Sequence, residues 1–135
     1  MRQLVFTLRA AGVIQFFFGA LFVFAPPSAP GMLHLAGGEP HWVTWLFVMM
    51  GARFLGYGVG MFVAARDPQH NLTWINTMIV IQVIDWVGTV WALTLGGLGL
   101  RNVTTAIVLP LAIVAALVWW HPRRQRNAAA GDARR

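Results

Sequence analysis

The chain reads as all-α, a four-helix transmembrane bundle with both termini in the cytoplasm. Composition is the first reason. Hydrophobic residues fill 58% of 135 positions and charged residues only 10%, more apolar surface than a chain of this length hides in a water-soluble core. Segmentation is the second, since the apolar residues fall into four runs, each near the roughly 20 residues that cross a bilayer as a helix. The third is charge placement: all ten basic residues are arginine, and most flank the runs on one side.

The first run extends from Leu4 to Ala25 and is halted by Pro26 and Pro27. The second spans Trp42 to Ala65, where Arg66, Asp67 and Pro68 end it. Leu72 to Leu95 forms the third, closed by Gly96, Gly97 and Gly99, and Asn102 to Trp120 the fourth, which meets Pro122. In lipid each backbone polar group needs an internal partner, so such runs must be helical. Residues 1–122 make one four-span domain without a repeat, and 123–135, rich in Ala, Gly and Arg, is expected to be a disordered cytoplasmic tail. Between the first two runs, Gly31 to Ala36 is expected to form a short interfacial helix. Arg2 before an apolar run, with Ala25 and Ala29 after it, also has the outline of a signal peptide. The run is too long for one, and cleavage after Ala29 would expose Pro30, so retention is expected.

Arg2, Arg9, Arg66, Arg123, Arg124 and Arg126 fall on one side of the bundle and Arg101 on the other. That asymmetry places both termini inside, and the chain is expected in the bacterial inner membrane as a multi-pass protein. Trp42, Trp45, Trp74, Trp119 and Trp120 lie near the run ends, where indole rings anchor at the headgroups. Arginines scattered at segment ends are a topology signal rather than a nucleic-acid surface. With no cysteine there is no disulfide, thiolate metal site or thiol catalysis.

Two charges fall inside the runs, and they carry the functional reading. At about 1.5 Å per residue, Gln15, Arg53, Asp85 and Pro110 come out near one mid-depth level. An ionised group there is costly and marks a partner, a ligand or a proton path. Arg53 is followed by Gly56 and Gly60 at helical spacing. Gln82, Asp85, Gly88 and Thr89 share a stripe with Met78 and Ala92, and Gly12, Gln15 and Gly19 share another. These small residues are expected at helix contacts. A buried Arg53–Asp85 pair is expected, with Gln15 and Gln82 supplying further donors and acceptors. Such a pair either fixes helix register or forms a ligand or proton site.

Other residues carry weaker signals. His34, Glu39 and His41 offer nitrogen and oxygen ligands, yet their spacing matches no metal motif and Gly37, Gly38 and Pro40 intervene, so no metal is assigned. His41 and His121 fall at opposite membrane edges and cannot share a haem iron. Consecutive phenylalanines on the first helix point around its whole circumference and mostly face lipid. No cofactor motif is evident. A lipophilic pocket for a quinone or a lipid is expected beside Tyr57, Trp86 and Trp91.

The run Ala52-Arg53-Phe54-Leu55-Gly56, then Ala64-Ala65-Arg66-Asp67-Pro68, then Asp85 in the following helix, resembles the small bacterial four-helix membrane proteins of the DoxX-like type. The likeness covers the second and third helices. It implies the same fold, with some members working as quinone-linked or membrane-complex subunits, and it carries over Arg53, Gly56 and Asp85 as a polar core. The chain lacks the cysteines of redox-active relatives. The function expected is that of a non-enzymatic subunit or lipophilic-ligand-binding partner, set in the bilayer within a membrane-protein complex or a homodimer. A proton-linked small-solute transporter and a quinone-binding redox accessory are the alternatives.

Overall fold

In the computed structural model, which describes residues 1–32, 40–95 and 99–122, the described residues are helical with no strand. Four helices are long and apolar enough to cross a membrane: α1 (Arg2–Phe24), α3 (His41–Arg66), α4 (Leu72–Thr94) and α5 (Leu100–Trp119). A 3-10 turn at Pro26–Ser28 leads into the four-residue helix α2 (Ala29–Met32), between α1 and α3. The short helix expected from Gly31 onward thus begins earlier, at Ala29; residues 33–39 lie outside the described set, as does the tail from 123.

The ends follow local chemistry. α1 stops at Ala25, which leaves helical geometry (φ −136°, ψ 50°) ahead of two prolines that cannot continue the ladder. Between α3 and α4, Asp67 accepts hydrogen bonds from the backbone N–H of His70 at 3.3 Å and pairs with its ring at 2.7 Å. Asn71 Nδ2 donates to the Asp67 carbonyl at 2.9 Å, closing the turn. The His70 side chain holds the Asp67 carboxyl below its ordinary range. At the start of α5 the Asn102 side chain accepts from the Gly99 N–H at 3.0 Å, satisfying one otherwise orphaned donor.

α1 and α3 pack most closely, and glycine spacing explains it. Gly12 and Gly19 on α1 face Gly51 and Gly58 on α3, seven residues apart on each helix and running antiparallel. A Cβ at Gly51 would stand 2.9 Å from the Gly19 carbonyl oxygen, and one at Gly58 2.7 Å from the Phe16 ring. Small residues at this interval let two backbones approach. Gly60 is buried under the Trp74 ring at the start of α4.

Gly56 and Gly88 behave otherwise. Expected at contacts, both are exposed, and a Cβ on either meets open space. Geometry gives the reason: at about 100° per residue, Gly56 is turned some 200° from Gly58, so only one of them can face α1.

The two ends of the bundle differ. At the end holding the Asp67–Asn71 turn, all four long helices share one apolar core, including Leu4, Leu8, Met61, Ala65, Ile75, Met78 and Leu117. Here His121 Nε2 also meets Asn76 Oδ1 at 3.0 Å, tying the end of α5 to α4. At the opposite end the buried cluster is Phe22, Ala29 and Phe47, from α1, α2 and α3 alone. From residue 83 to 94 no position of α4 is buried. The pair α1/α3 and the pair α4/α5 are therefore joined at the turn end and stand apart above it.

Candidate functional site

Where the two helix pairs part, they enclose a cavity of about 260 Å³ to which every long helix contributes. Ile14, Gln15, Phe18 and Phe22 come from α1, and Met50, Arg53 and Phe54 from α3. Gln82, Asp85 and Thr89 come from α4, with Thr105, Ala106, Leu109, Pro110 and Ile113 from α5. All four residues placed near one depth from sequence, Gln15, Arg53, Asp85 and Pro110, line this single space. Its wall is mostly apolar; its charged residues are Arg53 and Asp85.

Arg53 Nη2 lies 2.9 Å from both Asp85 Oδ1 and Oδ2, linking α3 to α4. The pair is not buried as expected: the Arg53 and Asp85 side chains keep 40% and 31% of their surface accessible. The cause is the parting of the helix pairs, since α4 presents no buried residue beyond Gln82 and none of the described residues closes over the bridge. The guanidinium carbon also stands 5.8 Å from the centroid of the neighbouring Phe54 ring, within cation–π range. Thr89 Oγ1 donates to the Asp85 backbone carbonyl at 2.7 Å. That hydroxyl is spent on the helix itself, leaving Arg53 as the carboxylate's side-chain partner among the described residues.

Gln15 and Gln82, each 6% exposed, lie on the cavity's inner margin. Among the described residues Gln15 Nε2 reaches only the Met78 sulfur, at 3.9 Å, and its Oε1 is buried without a partner. An unanswered buried acceptor costs about 1–3 kcal/mol. Pro110, inside α5, has no N–H, so the Ala106 carbonyl lacks its usual helical donor.

Tyr57, Trp86 and Trp91, expected beside a lipophilic pocket, stand away from this cavity. Tyr57 packs on the turn-end core, Trp86 buries its indole N–H without a hydrogen-bond partner among the described residues, and Trp91 is 65% exposed. None of the three lines the cavity. Phe18, Phe22 and Phe54 supply the aromatic wall instead, packed edge-on or tilted at centroid separations of 5.7 to 6.5 Å. Phe22 is thus core, although the run of phenylalanines reads as lipid-facing; Phe17 and Phe24 do point outward. Of the glycines named from sequence, Gly12 and Gly19 serve the α1/α3 contact, while Gly51 and Gly58 were legible only through the matching seven-residue interval. His34 and Glu39 lie outside the described residues, as does the side chain of His41. Among the described residues no three potential metal ligands stand together.

Comparison with family models, with characterised proteins and with solved structures finds no match, so the site is read from its own chemistry.

Proposed function

We propose that this chain is a small multi-pass protein of the bacterial inner membrane, of the DoxX-like type, with both termini in the cytoplasm. Its cavity holds a lipophilic molecule for a larger membrane system. One observation carries the reading: a mostly apolar cavity, walled by all four long helices, contains one ion pair and the buried Gln15 Oε1, which has no hydrogen-bond partner among the described residues. Binding sites for small molecules have this make-up, an apolar wall with a few converging polar groups that fix orientation. The ligand would come from the bilayer, since the cavity lining is mostly apolar.

A proton-linked transporter has less support from the same geometry. Towards the turn end the cavity gives way to a packed apolar core in which Leu4, Leu8, Met61, Ile75, Met78 and Leu117 are wholly buried. No polar route runs through that core in a single protomer.

Filling the cavity tests the proposal. Ala106→Phe places a ring in the space, whereas Val108→Phe, on an outward position of the same helix, leaves it empty. Mass spectrometry after purification in mild detergent should find an amphiphile on the wild type and on Val108→Phe, and lose it from Ala106→Phe. Equal retention by all three proteins, or an empty wild type, overturns the proposal.

A further inference from the structure

Resting on the reading of the cavity as a lipophile site, we infer that its ligand is an uncharged amphiphile whose head carries a free hydroxyl. Charge gives the first step. Arg53 and Asp85, opposite in sign and 2.9 Å apart, are the charged residues of the lining, so the site is neutral as a whole. A phosphate or carboxylate head held by the other N–H groups of Arg53 lies beside the Asp85 carboxylate, and an ammonium head held by Asp85 lies beside the Arg53 guanidinium. Either leaves like charges close together at low dielectric.

Hydrogen-bonding capacity gives the second step. Only Nη2 of the guanidinium is engaged, so the N–H groups on Nη1 and Nε have no acceptor among the described residues. Each Asp85 oxygen receives one bond and retains a further lone pair, and Gln15 Oε1 has no partner among the described residues. Donors and acceptors are therefore both unspent in one space. A hydroxyl gives one hydrogen bond and takes others, which answers both kinds. A ketone or ester only accepts and leaves the Asp85 and Gln15 acceptors as they were.

Depth gives the third. Arg53 and Asp85 sit about halfway along α3 and α4, so a head reaching them from the lipid must sink near the bilayer centre, where a charge is costly and a hydroxyl far less so. The cavity has room for about nine waters at roughly 30 Å³ each. That holds a head and the first carbons of a chain, with the rest lying past Phe18, Phe22 and Met50 towards the lipid.

Photoreactive probes sharing one hexadecyl chain test the inference: the alcohol, its acetate ester, its phosphate monoester and a hydroquinone carrying the chain. Each is offered in phosphatidylcholine nanodiscs to the full chain, and labelled peptides are mapped. The alcohol should label cavity residues about fivefold more than the acetate and about tenfold more than the phosphate. Asp85→Asn keeps the side-chain shape and leaves Arg53 uncompensated, so there the phosphate should label most. Hydroquinone labelling above the alcohol assigns the hydroxyl to an aromatic diol, and labelling below it to an aliphatic lipid. Acetate or phosphate labelling the wild type as well as the alcohol does overturns the hydroxyl head while leaving the lipophile site standing. No labelling by any probe overturns both. If Asp85→Asn does not fold, the wild-type order alone decides.

Discussion

Alanine at Gly51 and at Gly56 should have opposite effects on stability, because the two glycines meet different surroundings on one helix. A Cβ at Gly51 would stand 2.8 Å from Val23 Cγ2, 2.9 Å from the Gly19 carbonyl oxygen and 3.0 Å from Phe22 Cβ. The carbonyl belongs to the backbone of α1 and cannot rotate away, so α1 and α3 must separate. Overpacking of this kind costs about 1–3 kcal/mol. A Cβ at Gly56 meets nothing within 4 Å. Both substitutions gain the same helix propensity, up to about 1 kcal/mol. That gain cancels when the variants are compared, and the difference isolates the steric term. Gly51→Ala should therefore be less stable than Gly56→Ala by about 1–3 kcal/mol, with Gly56→Ala at or above the wild type. Reversible unfolding in mixed micelles, driven by added dodecyl sulfate, measures this difference. Equal stabilities, or Gly56→Ala as the weaker protein, would refute the antiparallel Gly12/Gly19 and Gly51/Gly58 contact.

The ion pair invites a double-mutant cycle in the same assay. Arg53→Ala and Asp85→Ala each leave one charge without its partner, so removing both should cost less than the sum of the two single losses. Because both side chains are partly accessible, their coupling should be near the intramembrane average of about 0.6 kcal/mol; strict additivity would mean that the bridge does not form in solution. Orientation is checked by reporter fusions at residue 38 and after residue 122. An external signal at the first and a cytoplasmic one at the second are expected, and an external C-terminal reporter would invert the topology.

Length and hydropathy made the four long helices legible, and each sequence boundary falls within two residues of the observed one because Pro, Gly and charged residues end the runs. Rotation about each helix axis was much less legible. In a water-soluble bundle the polar face reveals the buried one by contrast, but here the outward face is apolar too, as Phe17, Phe24, Val80 and Ile84 show. Gly56 and Gly58 therefore look alike in sequence, and so do Phe22 and Phe24. What separated them was partnership: an interval of seven on α1 has meaning only beside the same interval on α3.

Arg53 and Asp85 were readable for another reason, since the cost of a charge at mid-depth demands an explanation wherever the rest of the chain goes. Cost alone does not say whether such a pair is sealed or accessible. That depends on how the helix pairs meet, and the glycine contacts draw α3 towards α1 rather than towards α4. The Arg53–Asp85 bridge then spans a gap that packing leaves open, and its unspent hydrogen-bonding groups stay within reach of the cavity. Had Gly56 and Gly88 drawn α3 and α4 together, the same two residues would read as a register lock. Their exposure is what turns the bridge from a structural feature into a candidate binding site.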